Sequence, residues 1–187
     1  MVELFVLQDG RSAGNVFWQN YAHHLSSNPL LSLVKCSNFY IYYYLYYTSM
    51  SYPIITKKYH FSASHKYGNP AWTEEKNWEV FNKDYNIHGH NYILEVSVTG
   101  PIDPGSGWLV DLKKLSQIVK NNVVNILDHS QIEEDIEWFN RKQPSSENIL
   151  IWAWEEISPR LEKGKLHRLR LVETHSIHTD YYGPSPE

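Results

Sequence analysis

The chain has 187 residues, 42% of them hydrophobic and 20% charged, which suits an ordinary globular domain with enough residues to bury a core. A formal net charge of -4 gives no general basic field, so no nucleic acid partner is expected. A single cysteine excludes an intrachain disulfide framework and a Cys-rich zinc site, and suits a cytoplasmic location.

The first 49 residues differ from the rest. Half of the 14 tyrosines precede residue 50, and Phe39 to Tyr47 is an unbroken apolar and aromatic run. A membrane-spanning helix needs about 20 such residues, so no membrane partner is expected, and no secretory signal pattern is present. The run combines high β-propensity with no charge and no proline, an aggregation hazard if exposed. Gln8 to Asn28 is polar and weakly patterned. Met50 opens "MSYPIITKKYHFSASH", which reads like the start of a protein. The expectation is a doubtful or poorly ordered N-terminal extension over 1–49 and a folded domain over 50–187.

Within that domain, Ile54 to His65 alternates as a strand, with Phe61, Ala63 and His65 on one face and His60 on the other. Lys66 to Lys83 is a long polar connection whose Glu74–Phe81 part has room for one or two helical turns. Asn91 to Gly100 alternates as a second strand. "PIDPGSG" is turn chemistry, and Trp108 to Asp111 reads as short and extended. Leu112, Leu115, Ile118, Val119, Val123, Ile126 and Leu127 recur at helical spacing behind Asp111 as N-cap. "QPSSEN" starts a second helix, capped by Ser145 or Ser146, with Leu150, Ala153, Trp154, Ile157 and Leu161 as its apolar stripe. Leu166 to Glu173 alternates as a third strand, and Asp180 to Gly183 ends the domain as a fourth. The order predicts an α+β fold, an antiparallel sheet with two helices on one face. Its open edges call for an assembly that covers them.

His88 and His90 stand two apart at the start of a strand, so both point to one face. His65, on the neighbouring strand, is the natural third ligand. Three neutral imidazoles with an open position are how a catalytic zinc site is built. The pair is equally readable as two partly exposed strand histidines. Asp128-His129 closes the first helix. There, a histidine is either favoured by the helix dipole or an acid/base oriented by a carboxylate. Glu173 is either a solvated strand-end carboxylate or an acceptor for a guanidine-like pair of N–H groups.

Taken together, "FSASH" (61–65), "HGHNY" (88–92), "GPIDPGSGWLVDLKKL" (100–115), "LDH" (127–129), "PSSENI" (144–149) and "VET" (172–174) resemble the 6-pyruvoyltetrahydropterin and 6-carboxytetrahydropterin synthase family. The resemblance covers about residues 54–183 in the family's order. It implies the T-fold, whose subunits form a trimeric β-barrel that commonly stacks into a hexamer. It implies zinc on His65, His88 and His90, an acid/base pair Asp128 and His129 reaching a neighbouring subunit's site, and Glu173 anchoring the pterin ring. The implied substrate is 7,8-dihydroneopterin triphosphate. The product is then 6-pyruvoyltetrahydropterin, or 6-carboxytetrahydropterin on the route to deazaguanines such as queuosine.

One position departs from the pattern. Much of the family reads F-G-K-C-x-x-x-H-G-H, and the gapless match places Asp84 at the cysteine that acts as base on the substrate side chain. A thiol and a carboxylate differ by roughly 4.6 pKa units, about 6 kcal/mol in proton affinity. Three readings follow for Asp84: a working base in the same chemistry, a base for altered cleavage to 6-hydroxymethyl-dihydropterin for folate synthesis, or the mark of a homologue that binds metal and pterin without turnover.

Overall fold

The computed structural model describes the strand backbones Val2–Gln8 (β1), Leu30–Cys36 (β2) and Phe39–Leu45 (β3), together with residues 52–185. Two units separate at the boundary between Met1–Ser51 and Tyr52–Glu187. In the first, β3 is the middle strand of an antiparallel sheet, ordered β1-β3-β2. The β-branched and aromatic character of Phe39–Leu45 accounts for a strand there. Most of the polar stretch after Gln8, together with Tyr46, Tyr47 and Met50, lies outside the described residues.

The second unit carries four strands, Ile54–His65 (β4), His88–Thr99 (β5), Lys165–Val172 (β6) and His178–Tyr181 (β7). They pair in the order β4-β5-β6-β7, antiparallel throughout. β5 begins three residues earlier than its alternation predicts, because His88 pairs with His65 across the sheet. The connection after β4 holds α1, Glu74–Phe81, whose first turn is capped by the Thr73 side chain accepting from the Lys76 N–H.

Leu112–Val119 (α2) is capped by Asp111, whose carboxylate accepts from the Lys113 and Lys114 N–H groups. The helix runs into a π-helical segment, Lys120–Val124, and a short turn, Asn125–Leu127 (α3). Leu115, Val119, Val123 and Leu127 are buried at steps of four, whereas Leu112 and Ile126 of the predicted stripe are exposed. Ile132–Asp135 (α4) is a single turn that the apolar periodicity misses. Ser146–Ile157 (α5) starts at Ser145, whose hydroxyl accepts from the Asn148 N–H.

Tyr59, Phe61 and Ala63 of β4, Leu94, Val96 and Val98 of β5, and Leu169 and Leu171 of β6 form one buried sheet face. They pack with Leu115, Val119, Ile149, Leu150, Ala153 and Ile157 in a single core. The predicted extended piece at Trp108–Asp111 is not a strand. The chain closes on itself there: the Asp103 N–H donates to the Trp108 carbonyl at 2.9 Å, and the Gly107 N–H to the Asp103 carbonyl at 2.8 Å.

The face of the sheet away from the helices is polar. Lys58 and Arg168 both reach the Glu95 carboxylate, at 2.7 and 3.0 Å. Arg170 grips Asp180 through two N–H groups, at 2.8 and 2.6 Å. Among the described residues, no helix is long and apolar enough to cross a membrane.

Candidate active site

Antiparallel register sets His65 opposite His88 and Ala63 opposite His90. All three histidines therefore project from the apolar face near the sheet's end. Their ring centroids are 4.5 Å apart for His65 and His88, and 5.3 Å for each of the pairs with His90. One ligand atom from each lies within 4.8 Å of the others. Gly89 makes the close strand approach workable: a Cβ there would sit 2.9 Å from the Ala63 carbonyl oxygen.

The tautomers follow from the hydrogen bonds. His65 Nδ1 lies 2.8 Å from the Pro144 carbonyl, and His88 Nδ1 2.9 Å from the Asn86 carbonyl. A carbonyl only accepts, so each Nδ1 carries a proton, and Nε2 is the atom that holds the lone pair in the neutral ring. Backbone carbonyls holding the outer nitrogen are the usual support for metal-binding histidines. Burial also holds the His65 imidazole below its ordinary pKa, against the Pro144 carbonyl and the Glu173 carboxylate that favour its charged form. A neutral imidazole is the ligand form, so the donor set and its supports fit a zinc ion.

Glu173 follows β6 in a turn closed by its own N–H and that of Thr174 on the Ile177 carbonyl. Its largely buried carboxylate lies 3.3 Å from His90 Nε2 and 3.7 Å from His65 Nε2. Asp84 sits on a 3₁₀ turn, Asn82–Tyr85. Its exposed carboxylate is 4.0 Å from His88 Nε2, beside the cluster but outside hydrogen-bond range.

Asp128 and His129 stand elsewhere. They pass along the outer edge of β4, where the His129 N–H donates to the Ser62 carbonyl at 2.6 Å and the Asp128 carboxylate accepts from the Ser62 N–H at 2.9 Å. That bond, and then the charge of His129, hold the Asp128 carboxyl below its ordinary pKa. The two side chains do meet, at 3.2 Å, with His129 84% exposed. His129 is also held at φ 66, a left-handed conformation uncommon outside glycine.

The model of the 6-pyruvoyl tetrahydropterin synthase family matches residues 54–184. The chain belongs to this family. Its four-stranded sheet and helices are the T-fold that the motifs imply. A 6-pyruvoyl tetrahydrobiopterin synthase of Drosophila melanogaster is 33% identical over 71% of this chain and 80% of its own length. One of Dictyostelium discoideum is 32% identical over 70% and 96%. A dihydroneopterin monophosphate aldolase of Pyrococcus furiosus is 38% identical over 46% of this chain and 70% of its own. The solved 6-pyruvoyl tetrahydropterin synthase of Caenorhabditis elegans superposes with a TM-score of 0.65 at 31% identity, over 72% of this chain and 99% of that one. Synthases of this family are lyases of pterin metabolism, and the chain is an enzyme of that class.

Three further residues support or border the cluster: Tyr92, which closes the "HGHNY" motif, and Tyr67 and Gln143, which lie outside the motifs. Tyr92 stacks on Phe61 at 5.0 Å, and its hydroxyl lies 3.4 Å from His65 Nε2. Burial, then the nearby Glu173 carboxylate, raise its phenol pKa. Tyr67 shares the face of His65, with ring centroids 5.4 Å apart. Burial and the carboxylates of Glu173, Glu147 and Asp84 push its phenol up to about 12. Gln143 exchanges two bonds with Gly68, accepting from its N–H at 3.1 Å and donating to its carbonyl at 2.8 Å. Tyr92 carried a signal as part of "HGHNY" and Tyr67 as the residue two after His65, whereas nothing in the sequence marks Gln143.

Proposed function

We propose that the chain is a zinc-dependent lyase that eliminates triphosphate from 7,8-dihydroneopterin triphosphate to give 6-pyruvoyltetrahydropterin. The observation that carries the reading is the meeting of His65, His88 and His90 within 4.8 Å, in a chain whose animal and Dictyostelium relatives bear the 6-pyruvoyl name. The three imidazoles would hold the ion, which when bound supplies Lewis-acid stabilisation of negative charge on a substrate oxygen. Glu173 accepts hydrogen bonds from the amino and ring N–H groups of the pterin, and so fixes its orientation. Asp84 takes a proton from the substrate side chain, in the place the resemblance gives to a cysteine. Asp128 and His129 form an acid/base pair for the site of a neighbouring copy, since their own chain holds them on a sheet edge. That role calls for a homo-oligomer, a trimer or a hexamer. Loss of the triphosphate and the two outer side-chain carbons, with the first side-chain carbon kept as the carboxylate of 6-carboxytetrahydropterin on the route to queuosine, uses the same residues.

A second reading has its own support. Asp84 replaces the base cysteine, and one relative is a dihydroneopterin monophosphate aldolase. Cleavage of the side chain to 6-hydroxymethyl-dihydropterin is the corresponding reaction. Incubation of the zinc-loaded protein with dihydroneopterin triphosphate, followed by product mass, separates these outcomes. Absence of turnover that is rescued in Asp84→Cys points to a homologue that binds pterin and metal without catalysis. Metal analysis that finds no bound divalent ion counts against all of these readings.

A further inference from the structure

Tyr67 is a site residue that none of the family motifs contains. β4 ends at His65, and two residues on the chain still follows the alternation that sends His65 toward the cluster, so the Tyr67 ring lies beside the His65 imidazole. Its other side is braced. Tyr67 stacks on Phe81 at 5.8 Å and 22°, and Phe81 stacks on Trp72 at 5.9 Å and 21°. Its backbone N–H donates to the Asp84 carbonyl at 2.9 Å, which ties the strand exit to the turn that carries Asp84. The ring is thus fixed on two sides, and among the described residues the hydroxyl has no hydrogen-bond partner. Two carboxylates from separate elements stand at the same histidines: Glu173 after β6, 3.7 Å from His65 Nε2, and Asp84 on the 3₁₀ turn, 4.0 Å from His88 Nε2.

We propose that Tyr67 is a substrate-contacting residue that donates its O–H to a hydroxyl oxygen on the pterin's side chain. This inference rests on the proposed function and adds a contact to it. A carboxylate only accepts hydrogen bonds, so these two leave a substrate hydroxyl's oxygen without a donor. Tyr67 is a neutral donor beside them, and unlike the Tyr92 hydroxyl, which lies 3.4 Å from His65 Nε2, its O–H has no partner among the described residues. The same carboxylates repel phosphate, so the contact falls on the neutral polyol portion and not on the triphosphate. Asp84 accepting from a hydroxyl and Tyr67 donating to one make a complementary pair for a polyhydroxylated side chain.

The test compares the zinc-loaded full chain with Tyr67→Phe, a change that keeps the stack on Phe81. Calorimetric titration with neopterin, which carries the trihydroxypropyl side chain, and with pterin, which lacks one, reads the contact directly. The expected result is neopterin binding weakened roughly five- to tenfold, pterin binding unchanged, and equal zinc content and melting temperature. Equal neopterin affinity in the two proteins overturns the inference and leaves the proposed function standing. Equal weakening of both pterins overturns it too, since the effect is then on the ring pocket. If the wild type binds neither pterin, the proposed function fails and this contact fails with it.

Discussion

Gly89 does something no other residue can do at its position. It separates the two histidines of β5 and lies against the β4 backbone, where a Cβ would meet the Ala63 carbonyl oxygen at 2.9 Å. Backbone cannot move aside as a flexible side chain can. Gly89→Ala is expected to cost about 1–3 kcal/mol and to lower the melting temperature by roughly 3–10 °C, with zinc binding weakened as the strands part. A melt and a metal titration on the same variant check both. His129 is the reverse case, a residue that works against its own backbone. At φ 66 glycine is the relaxed choice, and elsewhere a glycine substitution costs roughly 0.5–1 kcal/mol. His129→Gly is therefore expected to melt within a few degrees of the wild type and to lose turnover. A large fall in melting temperature would show that the imidazole is needed for folding and remove the reason for assigning it to chemistry.

At the scale of elements, the site is held by the joint between the β4 exit and the entry to α5. Gln143 clamps Gly68 with two hydrogen bonds, and the Asn148 side chain holds the Gln143 carbonyl at 2.9 Å. The next carbonyl, that of Pro144, orients His65. Gln143→Ala is expected to loosen that orientation and weaken zinc binding by roughly tenfold, measured by competition with a chelator of known affinity. Unchanged affinity would mean that the α5 entry holds Pro144 without the clamp.

The elements differ in how far they could be read in advance. That His88 and His90 share a face was legible because side chains alternate along a strand, whereas the register that sets His65 opposite His88 extends β5 three residues beyond the start its alternation predicts. Asp111 and the Ser145-Ser146 pair announced their helices, because a cap is a local interaction, and the structure places the cap at Ser145. The Gln143–Gly68 clamp joins residues 75 apart through a connection with no periodicity, and nothing local marks it. The π-helical segment after Val119 was hidden for a related reason. Apolar residues at 3.6-residue spacing predict a face, but they do not show that the helix widens over Lys120–Val124, after which Leu127 is buried and Ile126 exposed.

For the folded unit as a whole, the polar face of the sheet sets its response to acid. The Lys58 hydrogen bond, the Lys58 charge and then Arg168 and Arg170 hold the Glu95 carboxyl below its ordinary value of 4.5. Unfolding releases Glu95 to that ordinary value, so the unfolded chain binds the proton more readily. The stabilisation is fully present above about pH 4.5 and is lost as pH falls through the lower folded value. Asp180, held down chiefly by Arg170, behaves in the same direction from 3.8. Denaturant melts between pH 6 and 3 are expected to show stability falling with acid, with a shallower fall in Glu95→Gln. An equal slope in both proteins would assign the acid sensitivity to other carboxylates.

The segment from Asp128 to Gln131 also bears on how copies meet. It occupies the outer edge of β4 at Ser62 and Ser64, where Gln131 bridges to Ser64 in parallel. By alternation, the backbone groups of Thr56, Lys58 and His60 point out from the same edge. Among the described residues no strand pairs along that stretch, so in the proposed homo-oligomer a strand from another copy would add there and would then meet the segment as an end stop. Sliding by one residue would turn every side chain of that strand to the opposite face. In that proposed assembly a physical stop would work as a ruler for the seam, with the His129 imidazole at its zero mark.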